Sequence, residues 1–215
     1  MKRTKLTFLL ALLMSMVSLC AFAHDFEVDG IYYVYNDGAS GSSVSVSYSG
    51  DSYINRDFYY SGSLSIPPTV TYNGKTYSVT SIGKYAFYQC YSLTSVDIPN
   101  SVTSIENCAF QNCRLTSVDI PNSTTSIANS AFRGCTSLVS ISVASGNAKY
   151  DSRYNCNAII ETASNTLIIG CKNTTIPNSV TSIGYAAFCN CSSLTNMTIP
   201  NSVNNIGDYA FDGCI

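Results

Sequence analysis

Residues Thr94 to Cys113 read TSVDIPNSVTSIENCAFQNC, and this stretch carries most of one period of the chain. It enters on a strand-like L-x-x-V-x-I pattern (Leu93, Val96, Ile98), turns at Pro99 through Asn-Ser-Val-Thr-Ser-Ile, and closes on Ala-Phe-x-x-Cys. The Ala-Phe pair recurs at Ala86-Phe87, Ala109-Phe110, Ala131-Phe132, Ala187-Phe188 and Ala210-Phe211, with Phe spacings of 23, 22, 56 and 23. The strand pattern recurs in register as Leu115-Val118-Ile120, Leu138-Ile141-Val143 and Leu194-Met197-Ile199. A unit of 23 residues with one short strand cannot bury its own apolar side, so the units must stack as a solenoid whose strands form a parallel sheet. Leu, Val and Ile then point inward, and the intervening Thr, Ser and Asp outward. Pro99, Pro121, Pro177 and Pro200 each end a strand, because proline offers no amide to a ladder. Phe supplies bulk on the convex side and the Ala before it permits close approach.

This frame resembles the BspA-like leucine-rich repeats of bacterial surface proteins. Ile176 to Gly184 (IPNSVTSIG) and Ala86 to Pro99 (AFYQCYSLTSVDIP) carry the resemblance, which extends from Ser63 to Ile215; Glu106 and Ala128 depart from the Gly seen at Gly83, Gly184 and Gly207. It implies a β-rich leucine-rich-repeat solenoid, with a parallel sheet on the concave face and an irregular or short-helical convex side. It also implies adhesion or protein binding at the cell surface.

The remaining sequence divides around that array. Met1 to Ala23 combines Lys2, Arg3 and Lys5, an apolar run from Leu6 to Val17 and small residues before a cut after Ala23, the pattern of a secretory signal peptide. Leu19 before Cys20 argues against a lipoprotein signal, and no other stretch approaches the roughly 18 apolar residues of a membrane span. Residues 24–62 alternate polar and apolar positions with turn marks at Asp29-Gly30 and Asp37-Gly38, and are read as a β-rich cap on a solenoid of residues 63–215. Asn73-Gly74 marks a type I′ hairpin turn. An enlarged unit lies between Val143 and Ile176, with a hairpin of residues 158–161 and 167–169. The chain stops at Ile215 in the middle of a unit, which reads as a truncated array with Leu194 to Ile199 as an open-edge strand, available for self-association.

Composition narrows the chemistry. The chain is 46% hydrophobic and only 11% charged, with sixteen Tyr, ten Cys, no Trp and one His. With His24 alone, an imidazole-based triad or a multi-His metal site has no second member, and an N-terminal copper chelate would need another His. Loss of the signal leaves eight basic residues against thirteen acidic, a net charge near −5 that gives no electrostatic reason to bind nucleic acid. Cys90, Cys113, Cys135, Cys191 and Cys214 each follow a repeat Phe by three residues and are expected to stack as a ladder of buried thiols. Cys108 and Cys189 lack C-x₂-C zinc spacing, and Cys156 with Cys171, flanking the hairpin, is the best-placed pair for a disulfide.

Asp97 and Asp119 share a strand position on adjacent coils, at a spacing of roughly 5 Å that would suit a retaining glycosidase. Their row continues to Ser142 and Thr198, however, and no Trp is present to stack a sugar, so a solvated face is the better reading. That face comprises Thr94, Ser95, Asp97, Thr116, Ser117, Asp119, Ser140, Ser142, Thr195, Asn196 and Thr198, a mildly polar surface for a protein or other extracellular macromolecule. The expected function is non-enzymatic binding with no cofactor or metal. The alternative is a rigid spacer or self-associating coat element.

Overall fold

The computed structural model describes residues 23–214 apart from Asn55 and Asp57, so the signal-peptide segment up to residue 22 and Ile215 lie outside the described residues. The chain is a solenoid whose coils have three sides: a strand on the concave face, a Ser-Ile rung and an Ala-Phe turn. The strands, in chain order, are β1 (Phe26–Val28), β2 (Ile31–Tyr35), β3 (Ser43–Ser47), β4 (Ser61–Ser65), β5 (Thr69–Tyr72), β6 (Lys75–Ile82), β7 (Ser92–Asp97), β8 (Ser104–Ile105), β9 (Ser117–Ile120), β10 (Ser126–Ile127), β11 (Ser140–Val143), β12 (Tyr150–Asp151), β13 (Ala158–Glu161), β14 (Thr166–Gly170), β15 (Ser182–Ile183) and β16 (Asn205–Ile206).

The N-terminal segment folds as the antiparallel run β1-β2-β3, and β3 then joins β6 in parallel, with Val44 opposite Val79 and Val46 opposite Ile82. β6 continues in parallel to β8 and β10 through Ile82, Ile105 and Ile127. Thus the Thr-Ser-Ile steps, which look like turn residues in the sequence, build a second parallel ladder beside the concave strands. β5 hairpins onto β6 through Asn73 (φ 50°) and Gly74 (φ 75°), the two positive-φ residues that a type I′ turn requires.

The convex side contains no α-helix among the described residues; of the two forms expected there, it takes the irregular one. Four of the five Ala-Phe turns are bracketed by left-handed residues two before and two after the Phe, as at Tyr85 and Gln89 (φ 61° and 58°) or Tyr209 and Gly213 (φ 59° and 72°), and the turn at Phe132 keeps only the later one, Gly134 (φ 73°). Such residues stop a helix from propagating. The Phe rings stack from coil to coil, with centroids 4.9 Å apart for Phe87–Phe110, 5.1 Å for Phe110–Phe132 and 5.1 Å for Phe188–Phe211.

In the enlarged unit, β13 and β14 pair antiparallel, with Ile159 opposite Ile169, and β14 passes in parallel to β15 and β16. Gly170 stands where the Ala-Phe turn would be, its amide donating to Ala187 O at 2.9 Å under the ring of Phe188. The unit docks onto the preceding coil through the Ala144 amide, which donates to Ile120 O at 2.8 Å, and through side chains. Asn147 Nδ2 donates to the carbonyls of Pro121 and Thr124, and the Tyr150 hydroxyl accepts from the Ile127 amide at 3.1 Å. Apolar burial is divided here: one cluster gathers Phe26 through Cys171, and a second gathers Ile160, Leu167, Ile176, Val180, Ile183 and Phe188.

At the opposite end, Arg56 seals the first coil. Its guanidinium donates to the carbonyls of Tyr85 and Ala86 and lies over the rings of Tyr48 and Tyr59, at 4.8 and 5.4 Å.

Candidate functional site

The concave face is built by strand alternation. On β7, Leu93 and Val96 are buried while Thr94 and Asp97 are exposed and Ser95 is half-buried; on β9 and β11 the pattern repeats with Val118 and Ile141 inward. The face is two short parallel sheets, β4-β7 and β9-β11, rather than one continuous sheet. The gap between them coincides with the 22-residue unit, which lacks one residue just after Cys113, and Thr116 crosses it by donating from its amide to Thr94 O at 3.2 Å. Threonine hydroxyls repeat the backbone connection, Thr94 Oγ1 to Gly62 O at 3.0 Å and Thr116 Oγ1 to Thr94 O at 3.4 Å.

Asp97 and Asp119 are both exposed, and each is held from its far side. Ser65 Oγ donates to Asp97 at 3.2 Å, and the Ser142 hydroxyl donates to Asp119. Ser117 and Ser140 lie opposite each other in the β9-β11 register. Between these rows runs an open groove of about 420 Å³, floored by Val96, Ile98 and Ile120 and rimmed by Ser95, Asp97 and Asp119. It offers hydroxyls and carboxylates to a partner, and no imidazole stands among its lining residues. His24 packs edge-on against Tyr32 in the N-terminal sheet instead, with ring centroids 4.6 Å apart. Among the described residues, no group of three His, Cys, Asp or Glu is placed to hold a metal ion.

Three residues of the face depart from expectation. Thr195, Asn196 and Thr198 are exposed, but Leu194 to Ile199 is not a strand and pairs with no neighbour. The cause lies in the coil before it. Cys171 to Ile176 takes the concave position there, with Cys171, Thr174 and Ile176 buried in place of Leu, Val and Ile. Thr174 Oγ1 turns inward to Asn157 O at 2.6 Å and accepts from the Cys171 amide at 2.8 Å, and this segment forms no strand either. Lys172, Asn173 and Thr175 therefore belong to the exposed face, although their run lacks the apolar frame; the signal was Ile176-Pro177, which aligns with Ile98-Pro99.

The thiols face inward. Cys113 Sγ donates to Phe87 O at 2.9 Å, Cys135 Sγ to Phe110 O at 3.1 Å and Cys214 Sγ to Phe188 O at 3.1 Å; Cys191 Sγ lies 4.0 Å from Gly170 O. Each of those Phe carbonyls also accepts the amide of the Cys in its own coil. Cys90, which has no Ala-Phe turn before it, accepts from Arg56 at 3.7 Å. Burial pushes the Cys90 thiol up to about 11 and those of Cys135 and Cys191 up to about 12. The nine described cysteines are all free thiols, Cys156 and Cys171 among them, each of these two directing its sulfur to a backbone carbonyl. Cys108 contacts Ser130, and Cys189 contacts Arg133 and Asp212.

Among the described residues no helix is long and apolar enough to cross a membrane. A comparison with curated proteins finds no significant match. Among solved structures, the chain is similar to a leucine-rich cell surface protein from Faecalibacterium prausnitzii A2-165 (20% identity, TM-score 0.50, covering 88% of this chain and 74% of that one). It is also similar to a leucine-rich repeat protein from Eubacterium ventriosum ATCC 27560 (19% identity, TM-score 0.50, covering 87% of this chain), of whose length it spans 62%. At these identities the likeness is one of fold. The model of the BspA-type leucine-rich repeat region matches residues 53–170 and 168–215 in six copies, and the chain belongs to that family.

Proposed function

We propose that this protein is an exported, non-enzymatic binding module that attaches to a protein or other extracellular macromolecule through the concave face of its solenoid. The observation that carries the reading is the exposed row of Thr94, Asp97, Ser117, Asp119 and Ser140 on two rigid parallel sheets, opening on the 420 Å³ groove. Small hydroxyl and carboxylate side chains give many shallow contacts but lack the aromatic and arginine anchors of tight interfaces, so attachment is weak and gains strength by multivalency. The basic, then apolar N-terminal segment supports export. The test is attachment of the purified protein to a panel of immobilised extracellular-matrix proteins and to cultured cells. Asp97→Ala combined with Asp119→Ala is expected to lower attachment about fivefold or more, as loss of two charge-assisted contacts would. Unchanged attachment would overturn the assignment.

A second reading is a rigid spacer that self-associates. Light scattering over a concentration series separates the two, because a strictly monomeric protein excludes self-association.

A further inference from the structure

The coil that begins with β14 and the coil that begins with β15 are joined on two of their three sides. Gly184 N donates to Leu167 O at 2.8 Å along the Ser-Ile ladder, and Gly170 N to Ala187 O at 2.9 Å beneath the Ala-Phe turn. On the concave side the bonds stop. No backbone amide or carbonyl from Thr195 to Ile199 has a hydrogen-bond partner among the described residues, and the carbonyls of Thr174, Thr175 and Ile176 opposite are equally unpaired. A cleft of about 730 Å³ lies between the two walls. That volume falls within the range of about 300–1,000 Å³ typical of ligand sites.

Unpaired main-chain groups on both walls call for another main chain. An extended segment lying in the strand direction can bond to both sides at once and supply the rung that the wall residues lack. The lining side chains, including Ile176, Asn196, Met197 and Ile199, carry no charge and no aromatic ring, so they select neither an ionic ligand nor a sugar needing a ring platform. They suit the alternating β-branched and small side chains of a strand.

We propose that this cleft captures an extended, uncharged segment of a partner polypeptide by strand addition. The proposal rests on the reading of the concave face as a protein-binding surface, and it names the conformation the partner must offer.

The probe is a fluorescein-labelled peptide that copies β11 and its lead-in, Leu138 to Val143 (LVSISV), with a Gly-Lys-Lys tail for solubility, titrated against the full chain by anisotropy. Saturable binding is expected, weakened about tenfold or more when alternate peptide amides are N-methylated, since methylation removes the donors that strand addition uses. Thr198→Pro, which removes a wall amide, should weaken the probe similarly, whereas Thr198→Val, which keeps the amide, should bind as wild type. N-methylation leaves the protein untouched, so the test survives a Thr198→Pro variant that fails to fold. No saturable binding up to millimolar peptide, or equal binding of the N-methylated peptide, would overturn the proposal. The Asp97→Ala, Asp119→Ala variant should bind the probe normally, so a failure of the face and a failure of the cleft are told apart.

Discussion

In the interior of the stack, convex-side carbonyls accept amides from the coil before: Phe87 N donates to Ala109 O at 2.7 Å, and Phe110 N to Ala131 O at 2.8 Å. No Ala-Phe turn precedes Tyr85 and Ala86, and the Arg56 guanidinium donates to both of their carbonyls with one side chain. Arg56→Ala is therefore expected to lower stability by about 2 kcal/mol, since bonds from a charged donor are worth roughly 1.5–3 kcal/mol, with Arg56→Lys intermediate; urea unfolding measures both. The thiols act in the same currency of carbonyl satisfaction. Free Cys ionises near 9, whereas Cys90, Cys135 and Cys191 in the fold wait until about 11 or 12. Their folded values are raised, so the stability they contribute is fully present below pH 9 and is lost as pH rises through the folded values. The urea midpoint should fall between roughly pH 9 and 12, and fall less in Cys135→Ala than in wild type. At pH 8 the native protein should leave Cys113 and Cys135 unalkylated by iodoacetamide until denaturant is added, which mass spectrometry reads directly.

The Ala-Phe turn and the hairpin that replaces it show how elements compensate for one another. Gly170 leaves no room for a side chain: a Cβ there would stand 2.1 Å from Phe188 Cε1. Gly170→Ala should cost about 1–3 kcal/mol, the usual range for overpacking a core. Shrinking the ring should relieve part of that loss, so in a double-mutant cycle Phe188→Leu costs less in the Gly170→Ala background than alone. Much at this scale was legible in the sequence. The strand frame, the Asn73-Gly74 turn and the Phe column all announce themselves by period or by turn chemistry. The Ser-Ile ladder did not, because two residues are too short for an alternation to register, and Ser lies at the margin of strand preference. The irregular turn was half legible: Asn112, Gly134, Asn190 and Gly213 mark the left-handed site after four of the five Phe, but Gln89 after Phe87 gives no such sign, nor do Tyr85, Ala186 and Tyr209 for the site before the Phe.

Across the whole molecule, the enlarged unit interrupts the ring column between Phe132 and Phe188 and separates two apolar clusters. In a quasi-one-dimensional fold each coil is held only by its neighbours, so a weak joint partitions stability. Amides of β15 and β16 should exchange with deuterium about tenfold or more faster than those of β6 and β8, as expected for a lower-stability unit; uniform exchange would show that the joint transmits cooperativity intact. The candidate face was legible only up to this joint. Thr94 through Ser142 follow from alternation, whereas Thr195, Asn196 and Thr198 depended on a neighbour whose sequence, Cys-Lys-Asn-Thr-Thr-Ile, no longer makes a strand. A pattern within one unit says nothing of whether the adjacent unit will pair with it. The same locality bears on how such a chain can change over generations. Because the regular coils present their neighbours with the same Ser-Ile rung and the same Phe carbonyl, a gene that duplicates or loses one whole regular unit by unequal recombination recreates an existing joint, and the length of the protein can drift while the sealed first coil stays as it is.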